Sequence, residues 1–494
     1  MKKIKKFLQV IRPFVRPFLI VFFIYSVAML AIWRSGVSFA DDRGRAVFGY
    51  AWTSDFNRYT STAFGLIMNM NDRLLDISPW PQLIGIAILS ISSVILTYIF
   101  CDKKIKYLPL VLTTFIGIFP LTLECWLYKF DTPCIAFSIF TSILPFLWWP
   151  KNQKRNSIFR FSVISIICVF LMWTTYQASS GIFPVLCIYM CTKDYIKDKK
   201  LSPIIKSLLI SILTFIIPTL IFKFCLPEPT KSYRTNEILA FSELIPGAFS
   251  NFLATCSLII GSLNIWQKIF TILAFIGGTI LSIKKFKITS LVLLIALTLS
   301  IPLSMGAYLL LKNPPLTARS LTGIGLAFVP ILILLTKDFK SFPEYILISP
   351  NLALLYSFIM FALALGNGLA DQERWANYRN DDLVSALSEL YPNHNEVASK
   401  NVFISGTIGY SIVMQHVASK YPATYSIITD QIVGLGNTAW SLAKIRYYYN
   451  RSQVFQETGD YEKFCNYNTG KIMKDTYYFT IRDKDNYICI DLKN

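Results

Sequence analysis

Of 494 residues, 54% are hydrophobic and 16% charged, with a mean hydropathy of +0.48; an ordinary soluble domain carries roughly 25% charged residues, so the pattern is that of a polytopic membrane protein, mainly α. A formal net charge of +19 would suit nucleic acid, but its placement along the chain argues against that partner. No CxxC or Cys/His cluster offers a zinc site, and both histidines, His394 and His416, lie in the tail, which argues against an intramembrane histidine acyltransferase.

Apolar runs of about 20 residues predict eleven spans, near 13–33, 82–100, 108–128, 134–150, 158–175, 178–191, 204–222, 266–283, 288–306, 321–336 and 345–366. With a cytoplasmic N-terminus, the inner segments hold 23 Lys and Arg against five acids. The outer loops hold 12 against ten, and the tail from 367 holds 13 against 14. The excess charge therefore sits on one side, which places the loops and the tail on the other. In a bacterium that is the periplasmic face of the inner membrane.

The N-terminal MKKIKK, an apolar run and Ser38-Phe39-Ala40 read like a signal peptide. The run is long, though, and Arg12 and Arg16 interrupt its start, which favours an uncleaved first span. It ends at Ser38-Phe39-Ala40-Asp41-Asp42-Arg43-Gly44-Arg45. Paired acids at the water interface, with arginines beside them, can keep one carboxylate ionised as a base and can neutralise a phosphate; a plain hydrophilic loop is the competing reading. The first outer loop continues to Pro81, too long for a simple turn. Within it Phe56, Tyr59, Ala63, Ile67, Met70 and Leu74 recur at steps of three and four, predicting an amphipathic helix lying on the outer leaflet with Arg58 on its polar face.

The second outer loop, Tyr128 to Pro133, carries Asp131, with Glu124 one turn deeper in the preceding span. Acids at this depth are costly unless paired or facing a wet cavity, so both are functional candidates; helix capping is the bland alternative for Asp131. The third, Tyr176 to Gly181, offers Gln177 and hydroxyls suited to sugars. Between Lys223 and Lys268, a Gly/Ser-broken apolar run to Ser262 predicts an interfacial or re-entrant helix. Arg319, at the mouth of a later span, can make paired hydrogen bonds to a phosphate, against the commoner role of interfacial snorkelling.

From residue 367 the composition is that of a soluble domain, giving two units, 1–366 and 367–494. Glu373 to Leu390 predicts a helix. Val402–Ser405 and Tyr425–Thr429 predict strands around a helix near Ile412–Ser419, and Tyr477–Arg482 with Tyr487–Leu492 a terminal hairpin, so the tail is a small α/β unit. Cys465 and Cys489 share the tail and can pair in an oxidising compartment. The glycines of SGTIG and GLG read as turns.

Asp41-Asp42 with Arg45 and Gly49-Tyr50, Trp52 to Arg58, Asp76 with Pro79 and Gln82, Tyr128-Lys129-Phe130-Asp131, and Tyr176-Gln177 occur in an order that resembles the serotype-converting O-antigen glucosyltransferase II family, over roughly residues 15 to 340. The resemblance implies a GT-C class enzyme. Its donor would be undecaprenyl-phosphate glucose, its acceptor a sugar of the lipid-linked O-antigen, and its reaction inverting, without a cofactor; a divalent metal is not indicated. Asp42 or Asp41 would be the base, with Asp42 favoured. Arg43, Arg45, Arg58 and Arg319 would be the phosphate cations, and Glu124, Asp131 and Gln177 would line the substrate site. An O-antigen polymerase or ligase, which moves a whole glycan, is the first alternative. A lipid-linked-sugar flippase is the second, though it would be expected to carry ionisable groups nearer the bilayer midplane.

Overall fold

The computed structural model of the protein describes residues 2–151, 153–227, 237–393, 400–428, 465, 470–484 and 486–493. Apolar runs become helices because a helix satisfies its own backbone groups where water is absent. Among the described residues, eight helices are long and apolar enough to cross a membrane, or nine if one bent pair counts as a span.

The first, α1 (Lys2–Arg34), leads into three short helices, α2 (Asp41–Phe48), α3 (Thr53–Phe56) and α4 (Tyr59–Asn69), before α5 (Trp80–Phe100). The next run departs from the straight span expected at 108–128. It is broken into α6 (Tyr107–Leu112), α7 (Phe115–Ile118) and α8 (Leu123–Leu127), with a 56° bend between Tyr107–Ile118 and Pro120–Leu127. The cause is local: Phe119 precedes Pro120 and is forced to an extended conformation, ψ 135°. The bend delivers Glu124 to the loop end of the bundle.

After α9 (Thr132–Ile143) come α10 (Arg155–Trp173), α11 (Ile182–Asp198), α12 (Leu201–Cys225) and α13 (Leu244–Ser262). The 134–150 run is a 17-residue apolar helix, Thr132–Trp148, and the expected 178–191 span begins as a 3-10 turn, Gln177–Gly181, that continues as α11. Phe241–Ser262, expected to be interfacial or re-entrant, is an apolar helix of spanning length, 22 residues. A 39-residue stretch, Ile265–Leu303, follows, divided at Lys287 (φ 50°) into α14 (Ile265–Phe286) and α15 (Ser290–Leu303). Then come α16 (Ile324–Thr336) and the 49-residue α17 (Phe342–Leu390), started by a Ser341/Glu344 capping box. The bundle closes by packing α1 on α17 and α5, α5 on α9, α10 on α12 and α14 on α17. Edge-to-face contacts of Phe115 and Phe119 with Phe358 lie at its centre.

The amphipathic helix is shorter than expected, Tyr59–Asn69. Ser61 and Gly65 are buried, while Tyr59, Ala63, Ile67 and Met70 face outward. Gly65 is the contact point, since a Cβ there would lie 2.7 Å from the Trp52 ring.

Past the bundle, α17 runs unbroken through 366–367, so the helix expected from Glu373 to Leu390 is its last part. The sheet has the order β1-β4-β3-β2, with β1 (Asn401–Gly406) parallel to β4 (Tyr487–Leu492) and the pairs of β2 (Lys471–Asp475) with β3 (Phe479–Lys484) and of β3 with β4 antiparallel. The strand expected at Tyr425–Thr429 is instead a helical turn, Ala423–Ile427, as far as the described residues reach. His394 and the GLG glycines lie outside the described residues. Cys465 and Cys489 form a disulfide.

Candidate active site at the loop end

The two adjacent acids have opposite environments. Ala40, with φ 42°, turns the chain sharply into α2, so that Asp41 and Asp42 occupy its first turn. Asp42 is completely buried. One carboxylate oxygen accepts the backbone N–H of Phe39 (3.1 Å) and of Lys129 (2.9 Å), and the other that of Phe130 (3.3 Å). Burial drives its pKa up to about 7; the Lys129 amide and Arg45 oppose the rise and the charge of Asp131 adds to it. Asp42 therefore acts as a latch between the first and second loops. Asp41 points outward, its side chain 27% exposed, with one oxygen 3.6 Å from Arg45.

Arg45, buried to 1% exposure, joins the first acid to the second loop. Its guanidinium donates to Asp131 at 2.5 Å and lies 4.7 Å from the Trp52 ring centre and 5.4 Å from that of Tyr50. The Trp52 indole N–H donates to the other Asp131 oxygen at 2.7 Å. Asp131 stands at the N-cap of α9 but makes no side-chain cap, so the capping alternative does not hold. Arg58, just ahead of α4, approaches Asp131 at 3.9 Å, donates through Nε to Gln177 at 3.0 Å and stacks on Phe56 and Tyr176. The Gln177 amide donates to the Phe56 carbonyl at 3.0 Å, tying the third loop to the first.

A second ionic cluster stands beside this one. The Arg319 backbone N–H donates to Glu124 at 2.7 Å, its Nε lies 3.8 Å from the same carboxylate, and its guanidinium donates to the Tyr128 hydroxyl. Its side chain is 41% exposed. Asp41 is close enough for its charge to act on both Arg319 and Tyr128. Lys129 holds Asp76 at 3.1 Å, and despite partial burial Asp76 stays below the usual carboxylate range because Ser78 and Lys129 favour its ionised form.

Asp41, Arg45, Arg58, Asp131 and Gln177 are thus brought into one network, with Glu124 and Arg319 adjoining it. Arg43 is carried to α17, where it pairs with Glu373 at 3.4 Å. Trp52 and Tyr128 join the network although sequence reasoning named them only as parts of motifs, and Tyr176, whose phenol was read as suited to sugars, joins it by stacking on Arg58. Among the described residues no three His, Cys, Asp or Glu side chains converge as metal ligands would.

The family model "Glucosyl transferase GtrII" matches residues 30–334, which include every residue of both clusters. The chain belongs to the GtrII glucosyl transferase family. Among curated proteins, this GtrII chain is 26% identical over 226 residues to an "uncharacterized 55.3 kDa protein in gtrB 5'region" of Salmonella phage P22. The match covers 44% of each chain, so it spans under half the length of that relative. No solved structure matches. Family membership supports glycosyltransferase activity, and the apolar helices are those of a membrane protein.

Proposed function

We propose that this chain transfers glucose from undecaprenyl-phosphate glucose to a sugar of the lipid-linked O-antigen, at the periplasmic face of the bacterial inner membrane, with its N-terminus cytoplasmic and its C-terminal unit periplasmic. Membership in a glucosyl transferase family supports the group transferred, and the one-sided Lys and Arg excess supports the orientation. The observation that carries the mechanism is the part-exposed pair of Asp41, 27% exposed, and Arg319, 41% exposed, on which the charge of Asp41 acts.

In this mechanism Asp41 accepts the proton of the acceptor hydroxyl as that oxygen attacks the anomeric carbon. The bond to the phosphate oxygen breaks, and the leaving phosphate is stabilised by Arg319 and Arg58. Single displacement inverts the anomeric centre. Asp131 is a poor candidate for a covalent nucleophile, because its oxygens are engaged by Arg45 and Trp52. Asp42, favoured from the sequence as the base, is better suited to holding the loops, since its three backbone partners leave it no exposure. An apolar cavity of about 490 Å³, lined by Phe119, Leu263, Phe328 and Phe358 among others, lies one bend away from Glu124 and suits a prenyl chain.

The test compares Asp41→Asn with Asp42→Asn for O-antigen glucosylation at matched expression. Asp41→Asn should lose about 10²–10⁴-fold of the rate, the usual worth of a positioned general base, with the amount of folded protein unchanged. Full activity in Asp41→Asn would remove it from the chemistry.

A further inference from the structure

The helix α17 continues past the bundle on the same side as the catalytic loop. Gly366 lies against Ala31 and Ile32 near the end of α1, and Arg34 donates to Asn367 at 2.5 Å. Residues beyond 367 therefore rise clear of α1. There Glu373 takes Arg43, two residues from Asp41, at 3.4 Å.

The next turn carries Trp375 and Tyr378, whose rings stack with centres 5.8 Å apart and 23° between their planes. The turn between β2 and β3 brings two more rings. Tyr478 stands edge-on to Trp375 at 5.9 Å and to Tyr378 at 6.0 Å, and Tyr477 lies 5.1 Å from Tyr478. Their support is buried and fixed. Arg379, 3% exposed, lies under Tyr478 and Trp375 at 4.3 and 5.2 Å and donates to the carbonyls of Ile408, Tyr478 and Lys493. The Trp375 indole N–H is held by the Ile408 carbonyl at 3.0 Å. The outer rings stay uncovered, with Tyr378 53% and Tyr477 83% exposed.

Rigid aromatic rings with polar tips, with Asp382 close enough for its charge to act on Tyr478 and Arg379, suit a polar ligand with flat C–H faces better than a lipid. A sugar chain has such faces, and its hydroxyls can meet the phenols. This stretch of α17 adjoins the Asp41 loop through Glu373 and Arg43, within reach of a glycan whose lipid is held there. We propose that Trp375, Tyr378, Tyr477 and Tyr478 form an oligosaccharide platform that holds the acceptor glycan while one of its hydroxyls lies at Asp41. The platform rests on the acceptor assigned under the proposed function.

The test uses the full chain in lipid nanodiscs and, as probe, unglucosylated O-polysaccharide freed from its lipid by mild acid, with affinity read by saturation-transfer NMR. Tyr378→Ala and Tyr477→Ala should each weaken binding about 2- to 10-fold, the range of an aromatic contact. Tyr378→Trp should restore it. Equal affinity in the alanine variants, or no binding by the unaltered chain, overturns the platform. Glucosylation is assayed in parallel. Absent transfer with ring-dependent binding sinks the glucosyl-transfer reading and keeps the platform, whereas normal transfer with ring-independent binding sinks the platform alone.

Discussion

Two ionic clusters stand side by side at the loop end of the bundle and are built differently. Around Asp131, Arg45 and Trp52 are nearly inaccessible and the carboxylate is fully engaged. Around Glu124, the acid is buried but its arginine is 41% exposed. A closed cluster fixes loops relative to one another; an open one keeps a guanidinium edge for something that arrives. Under the proposed function the difference separates the scaffold of the site from the surface that takes the donor phosphate, and it can be tested from either side.

The largest effect is expected in the closed cluster. Arg45→Ala leaves Asp131 buried without its nearest cation, a change that typically costs about 3–5 kcal/mol, so loss of folded protein as well as of activity is expected. Arg45→Lys keeps the charge but lacks the planar fork that reaches both Asp131 and Asp41, and should rescue only partly. Thermal unfolding in detergent checks both. An unchanged melting temperature for the alanine variant would mean that the closed cluster is no scaffold.

The open cluster should behave the other way. Arg319→Ala keeps the backbone N–H that Glu124 accepts, so the loss of stability should be smaller than in Arg45→Ala. Donor use should suffer, with KM for the lipid-linked sugar raised about tenfold, the worth of one charge-assisted contact. Equal KM in variant and parent would move the phosphate elsewhere.

Which residues take part was more legible in sequence than how they are arranged. Asp41, Arg45, Asp131 and Gln177 stood out because charge and amides near span ends need a reason to be there. Sequence could not tell Asp41 from Asp42, because the sharp turn at Ala40, φ 42°, decides which acid faces inward, and alanine carries no signal for such a conformation. The 56° bend was missed for a related reason: hydropathy is blind to the extended residue that a proline imposes before it. Helix α4 was read by its period, but period does not say which face meets protein. The small residues Ser61 and Gly65 do, because they allow close approach to Trp52 and to the Thr175 carbonyl, which the Ser61 hydroxyl meets at 2.9 Å.

The last effect concerns Asp42, the latch that the closed cluster leans on, and it is spread over several pH units. Its folded pKa of about 7 lies above the 3.8 of an unperturbed aspartate. The folded chain therefore holds this proton more tightly than the unfolded chain does. The resulting stability is fully present below pH 3.8 and is lost as pH rises through about 7, with a slope of at most ~1.4 kcal/mol per unit in that window. Asp42→Asn keeps one carbonyl oxygen for the loop amides and cannot ionise. The unaltered chain should lose melting temperature between pH 5 and 7.5 relative to this variant, and the two curves should run parallel above pH 8. Parallel curves throughout would mean that Asp42 is ionised at pH 5 in the fold, its three backbone donors having outweighed its burial. The latch would then be a permanent anion, and its charge would have to be counted with those of Asp41 and Asp131 against Arg45.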